Sequence, residues 1–460
     1  MFMKDYEPLS GVDAAWLRMD RPTNLMTITA VVVLQDPMDT DALKALIEER
    51  FLGFTRFRQR IEDLDGTPRW ALDPYFDLDQ HVRPAALPGA ADQRALQAYV
   101  SQQMSTPLDK TKPLWTMDCI EEYQGGTAIV IRLHHCIADG IALVQVLLSL
   151  TDEYFDPSRF PHTRAAGGWG VLKGAWQAGQ AAASVGRRAV AEGLAAVQHP
   201  HHALERAREG MSLGAALSKF ALLSEDNDTL LRGPLRVAQR AAWSGPLALE
   251  RIKSIGYRLD AKVNDVLLGA VAGALRAYFE QRGAATDTTA RALIPVNLRS
   301  AERAFQLGNH FGLVYLDLPL YLDDPIRRVQ AVKRQMDEIK GSSEAVTALG
   351  LLEVLGNFPL TLEEQAVEFF SNKASAVITN VPGPREQVHM KGRRVQHIMP
   401  WVPRAGGIGL GISIFSYDGE VRTGIACDAG RIPDPETILA AYNREVDALY
   451  AEAEASAPAD

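Results

Sequence analysis

The run Gly126–His135 (GTAIVIRLHH) constrains the fold most. Its apolar, β-branched body has the length of one buried strand and leads directly into Cys136–Gly140. The next stretch, 141–155, has the apolar spacing of a helix. A His-His pair thus stands at a strand end before a turn and a helix, where α/β proteins usually place reactive side chains.

The same alternation recurs along the chain. Residues 26–34 (MTITAVVVL) predict a second buried strand, and 39–51 a helix opened by an Asp39 cap. Beyond residue 247, the segment 263–283 reads as a helix apolar on most of its circumference, ending near Gly283. Strand patterns follow at 291–299, 311–320, 375–384 and 408–426, the last with Tyr417-Asp418-Gly419 as a hairpin signal. Helical patterns lie near 325–340 and 434–452. Residues 157–246 differ: they are rich in Ala and Gly, carry scattered Arg, and contain Trp169, Trp176 and Trp243. We read this zone as a helical crossover between two α/β units, 1–156 and 247–460. Its Trp and Arg content also suits a lipid-facing surface.

Charge and cysteine content narrow the classes. A formal net charge of -9 argues against general nucleic-acid binding. The three cysteines, Cys119, Cys136 and Cys427, are isolated and read as thiols of a reducing compartment. The opening MFMKDYEPLS has charges where a signal peptide needs an apolar core, and no run approaches the roughly 20 apolar residues that span a bilayer. The expectation is a cytoplasmic protein, at most peripherally bound to a lipid surface. No signal of oligomeric state is visible.

HHCIADG (134–140) carries the chemistry. A histidine at a strand end is a proton acceptor near neutral pH. Adjacent residues on an extended segment point to opposite faces, so His134 and His135 do not chelate one ion, and no metal is expected. The chain has no GxSxG elbow, and Cys136 lies among apolar neighbours. The histidine must then act on a hydroxyl, amine or water brought by the substrate. Two His and one Asp alone would favour an ordinary hydrogen-bonded core. The whole pattern at a buried strand end, with Gly140 permitting a tight turn, favours the base. The run at His199–His202 reads as an exposed loop.

HHCIADG matches the His-His-x-x-x-Asp-Gly signature of the chloramphenicol-acetyltransferase-like superfamily. Further stretches resemble one group within it, the bacterial wax ester synthase/diacylglycerol acyltransferases. They are Pro113–Trp115 (PLW), Val263–Asp265 (VND), Pro295–Arg299 (PVNLR), Gly308–Gly312 (GNHFG) and Thr379–Pro384 (TNVPGP). The opening segment 9–28 and the closing segment 409–434 resemble that group too.

The resemblance implies an α/β fold of two chloramphenicol-acetyltransferase-like subdomains, each a mixed sheet with helices. It implies direct acyl transfer from acyl-CoA, a co-substrate, to a fatty alcohol or diacylglycerol, with His135 as general base and no cofactor. The motif loop is expected at the base of a channel between the halves, and contact with a membrane or lipid droplet follows from insoluble products. His134 is expected to support ring orientation and Gly140 the backbone. Asp139 is expected to pair with an arginine, Arg299 being the candidate. Asn264 and Asp265 divide evenly between helix capping and a role near the thioester, where Asn264 would stabilise the oxyanion. Pro113, Leu114 and Trp115 are expected to pack the motif strand, with Trp115 filling core or lining the channel. Two rivals remain: a condensation-type enzyme with a carrier-bound donor, and a non-catalytic lipid-droplet protein.

Overall fold

The computed structural model describes residues 6–156, 223–297, 309, 311–340 and 367–455. The first part runs β1 (Glu7–Pro8), α1 (Gly11–Arg18), β2 (Thr27–Leu34), α2 (Thr40–Arg50), β3 (Gln59–Leu64) and β4 (Thr67–Leu72). It continues through β5 (Val82–Ala85), α3 (Gln93–Met104), β6 (Trp115–Tyr123), β7 (Gly126–His134) and α4 (Gly140–Leu148). The second part opens with β8 (Gln239–Trp243), β9 (Leu247–Ala248), α5 (Leu249–Arg258), α6 (Val263–Gln281), β10 (Thr289–Asn297) and β11 (Phe311–Pro319). Then come α7 (Pro325–Lys340), β12 (Ala376–Pro382), β13 (His389–Met390), β14 (Arg393–Trp401), β15 (Leu410–Tyr417), β16 (Glu420–Asp428) and α8 (Pro435–Ala455).

Two large sheets organise these elements. One has six strands in the order β13-β14-β2-β7-β6-β5; the other is seven-stranded, β11-β10-β12-β15-β16-β8, with β9 against β16. Both are mixed, because β5 pairs parallel to β6 and β12 lies parallel to β10 and β15. Strands β2 and β7 are covered on both faces, which is why their sequences are apolar without alternation. The predicted Asp39 cap forms, its side chain accepting from the Ala42 N–H at 2.7 Å; Ser10 likewise caps α1 by accepting from the Asp13 N–H at 3.1 Å. At the β15–β16 turn, Asp418 and Gly419 both take positive φ (48° and 74°), the conformation that a two-residue hairpin demands.

Two strands lie where the sequence division did not place them. β14 comes from the C-terminal zone yet pairs with β2 in the first sheet. β8, drawn from the zone read as crossover, pairs with β16 in the second. Trp243 on β8 is buried and meets Trp401 of β14 edge-on at 5.4 Å, so it fills core between the sheets and is not a lipid contact. Trp169, Trp176 and the His199–His202 run lie outside the described residues. The helix expected over 141–155 ends at Leu148. There the Ser149 and Thr151 hydroxyls take helix carbonyls, and Asp152 turns to the main chain of Lys391 and Gly392.

Helix α6 is buried along most of its length because two glycines let other helices approach. A Cβ at Gly269 would lie 2.7 Å from the Val329 side chain of α7, and one at Gly273 would collide with Glu445 of α8. Glu445 is held there by Arg328 in a buried ion pair. The core around β2 and β7 also takes in Phe311, Phe415 and Tyr417, so the two halves share apolar packing. Among the described residues, no helix is long and apolar enough to cross a membrane.

Candidate active site

The motif turn is built by main-chain bonds. His134 ends β7 opposite Thr27, its N–H donating to the Leu114 carbonyl at 2.9 Å. The His135 N–H donates to the Met26 carbonyl at 2.7 Å, and the Ile137 N–H returns to the His134 carbonyl at 3.0 Å. The Asp139 carbonyl accepts from the Leu143 N–H at 2.9 Å, opening α4. Edge bonds to β2 and to the PLW segment thus fix where each histidine points.

The two histidines are held in different ways. His134 Nδ1 accepts the Cys136 N–H at 3.2 Å, which leaves the ring proton on Nε2, facing Asp20 at 3.9 Å. Asp20 is itself engaged by Lys110 at 2.9 Å and by the Met26 N–H at 2.8 Å. Burial takes the His134 pKa down to about 4 against the pull of Asp20. His134 is a neutral structural acceptor.

His135 points into the seam between the halves and is 4% exposed. Trp16 of α1 stacks on its ring at 4.0 Å, and Phe311, the first residue of β11, meets it edge-on at 5.7 Å. Its carbonyl accepts from Asn309 Nδ2 at 2.9 Å, and the same nitrogen donates to Asp13 Oδ1 at 2.8 Å. Nδ1 of His135 is buried, with no hydrogen-bond partner among the described residues. Burial lowers the His135 pKa to about 4, while the Asp139 charge pulls upward. The ring is therefore neutral at physiological pH, with a lone pair to offer.

Cys136 is buried, and burial drives its thiol well above the ordinary range. It is not a nucleophile. Asp139 is also buried, next to His135 in charge terms. Arg299, expected as its partner, lies outside the described residues.

The remaining predicted residues sit elsewhere. Trp115 is core: its indole N–H donates to the Phe57 carbonyl at 2.8 Å and its ring stacks on His81 at 4.5 Å. The Pro113 carbonyl takes the Trp115 N–H at 2.9 Å. Asp265 caps α6 by accepting the Lys262 N–H at 2.9 Å, the structural side of its two readings. Asn264 Oδ1 accepts from Asn380 Nδ2 of TNVPGP at 3.1 Å, joining two of the motif stretches. An open cleft of about 650 Å³ lies between α3 and β8, lined by residues that include Arg94, Gln97, Ser101 and Arg240 and by none of the motif.

Sequence reasoning assigned no role to Trp16, Asp13, Asn309 or Phe311. Each lies in a stretch that carried the resemblance, 9–28 or 308–312. Nothing local in those stretches marks them as neighbours of His135.

Comparison with known proteins agrees with this arrangement. The wax ester synthase/diacylglycerol acyltransferase catalytic domain matches residues 9–267, and the C-terminal domain of the same family matches 307–450. The chain belongs to the wax ester synthase/diacylglycerol acyltransferase family. Among its relatives is a probable diacylglycerol O-acyltransferase, tgs1, of Mycobacterium tuberculosis, 29% identical over 93% of this chain and 92% of that one. The fold matches the wax ester synthase/diacylglycerol acyltransferase of Marinobacter aquaeolei VT8 with a TM-score of 0.70 and 20% identity, covering 97% of this chain and 100% of that one. The first condensation domain of the calcium-dependent antibiotic synthetase has the same fold at a TM-score of 0.61 and 15% identity, covering 98% and 96%. The two-subdomain, mixed-sheet architecture is thus that of the family and of condensation domains, and the chain is an acyltransferase of this family.

Proposed function

We propose that this family member transfers a long-chain acyl group from acyl-CoA to the hydroxyl of a fatty alcohol or a diacylglycerol, with His135 Nε2 as general base. The carrying observation is the His135 ring itself: neutral, enclosed at Nδ1, and walled by Trp16 and Phe311 from opposite halves. Nε2 takes the proton as the alcohol oxygen bonds to the thioester carbonyl carbon. The tetrahedral oxyanion then collapses, the carbon–sulfur bond breaks, and the imidazolium returns its proton to the departing thiolate of CoA. No acyl-enzyme forms, in keeping with a raised Cys136 thiol. No resident cofactor enters the scheme.

Apolar surroundings suit this chemistry twice. They keep water from the thioester, and they hold acyl and alkyl chains at about 0.8 kcal/mol per buried methylene. Products this insoluble place the protein at a membrane or lipid-droplet surface while it works.

The test is purified protein with palmitoyl-CoA and either hexadecanol or a diacylglycerol, following CoA release by thiol titration and identifying the lipid formed. Acceptor-dependent CoA release with wax ester or triacylglycerol as product supports the reading. No release with either acceptor, but transfer from a carrier-bound donor, overturns it.

A further inference from the structure

We infer that a small monovalent anion binds on the covered face of the six-stranded sheet, held by Arg132 Nε, Thr29 Oγ1 and Thr116 Oγ1. The inference starts from the sequence of β7. Alternate residues of a strand share a face, and in GTAIVIRLH one face carries Ala128, Val130 and then Arg132. Ala128 and Val130 belong to the core that includes Leu96 and Val100 of α3 and Ala241 and Trp243 of β8. Arg132 continues that face and is 2% exposed. Directly opposite it stand Thr29 of β2 on one side and Thr116 of β6 on the other. Opposite side chains of antiparallel strands share a face, with Cβ atoms about 4.5–5.5 Å apart. Three polar side chains therefore stand abreast across β2, β7 and β6.

Their hydrogen-bonding capacity is only partly used. Arg132 Nη1 donates to Gln103 Oε1 at 3.2 Å, and Nη2 to the Thr106 carbonyl just beyond α3. Arg132 Nε, Thr29 Oγ1 and Thr116 Oγ1 are buried, and none has a hydrogen-bond partner among the described residues. They do not bond one another either, so they stand apart as groups around a shared ligand do. The guanidinium also lacks a carboxylate of its own. Asp118, two residues along β6 on the same face, is taken by Arg83 at 2.9 and 2.6 Å and by the Tyr99 hydroxyl at 2.9 Å. Arg83 and Arg132 thus have one carboxylate between them. Burial lowers the Arg132 pKa to about 10, which leaves it charged at neutral pH. A buried charge is costly unless it is paired. The Nε–H only donates, and both hydroxyls can donate. A bridging water would satisfy the hydrogen bonds and leave the charge; an anion answers both. All three atoms are enclosed, so the ion is of halide size.

The experiment compares full-length protein in sodium chloride and in sodium gluconate at matched ionic strength. The melting temperature is expected to rise by a few degrees as chloride replaces gluconate, because a ligand of the folded state stabilises by mass action. In crystals grown with bromide, anomalous difference density is expected in contact with Arg132 Nε and both threonine hydroxyls. Thr116→Val keeps the shape and removes one donor, so the chloride concentration giving half the rise should increase about tenfold. Arg132→Met should abolish both the rise and the bromide peak. If that variant does not fold, Thr116→Val and the bromide density decide. Equal melting in the two salts with no bromide peak at Arg132 overturns the inference, any ordinary density there then being water. So does a chloride-dependent rise that Thr116→Val leaves unchanged, since the ion is then held elsewhere.

Discussion

The indole of Trp16 lies against the imidazole of His135, ring centroids 4.0 Å apart and planes 26° from parallel. Trp16 comes from a two-turn helix whose start is held by Ser10, and Phe311 of the other half touches both rings, 5.9 Å from Trp16 and 5.7 Å from His135. The plane of the base is set by this sandwich. Trp16→Ala should let the ring tilt and lower kcat by about 10- to 100-fold, the scale expected for a misplacement of about 1 Å. Trp16→Phe, which keeps a stacking face, should lose roughly threefold at most. Steady-state kinetics with each variant check this; equal losses in the two variants contradict a stacking role.

The pH dependence of turnover follows from the burial of His135. Its working form is the unprotonated ring, and its pKa is lowered to about 4. The base is therefore fully present at neutral pH, and activity is lost only as pH falls through that lowered value. The profile of kcat/KM, which reports the free enzyme, should be flat from about pH 8 to 6 and fall on the acid side below about pH 5. An acid limb centred near 6.5, the ordinary histidine value, contradicts the buried-base account.

Acid should also unfold the protein early. His134 and His135 sit at about 4 and His397 at about 3, and His81 is lowered too, each chiefly by burial. In the unfolded chain these rings return to about 6.5. Between that value and their folded values the unfolded state binds protons that the native state refuses, so stability drops as pH falls. The urea midpoint is expected to decline from pH 7 to pH 5. His397→Leu, which removes one such ring, should make the decline shallower. A midpoint independent of pH across that range contradicts the assignment of neutral buried rings.

The β15–β16 turn offers a test of the scaffold. Gly419 has φ +74° and Asp418 φ +48°. Gly419→Val should cost about 1–3 kcal/mol, because a β-branched residue strongly resists positive φ. Asp418→Asn should stay within about 0.5 kcal/mol, since asparagine enters the left-handed region readily. Urea unfolding of both variants decides; a Gly419→Val protein as stable as the native one contradicts the turn.

How much was legible depended on whether the signal was local. β2 and β7 announce themselves because both faces are covered and the chain had to be apolar throughout. The Asp39 cap and the Asp418-Gly419 turn are likewise short-range chemistry. β14 was not legible: RRVQHIMPW carries charges and a proline that argue against an inner strand. Pro400 is accommodated because β13 pairs only with the first residues of β14, leaving the edge open where Pro400 lies opposite Ala30. The site divides the same way. HHCIADG concentrates His134, His135 and Asp139 in seven residues. Trp16 and Asn309 reach His135 only because two distant segments fold onto one seam, which no local pattern encodes.

The most direct test is the kcat of His135→Ala beside His134→Ala, in palmitoyl-CoA transfer to hexadecanol or diacylglycerol, both variants checked for native melting. Loss of a general base is expected to cost about 10²- to 10⁴-fold in the His135 variant. The His134 variant, losing a structural acceptor, should retain measurable turnover with the same neutral-pH plateau. Native-level turnover in a folded His135→Ala protein would contradict the account.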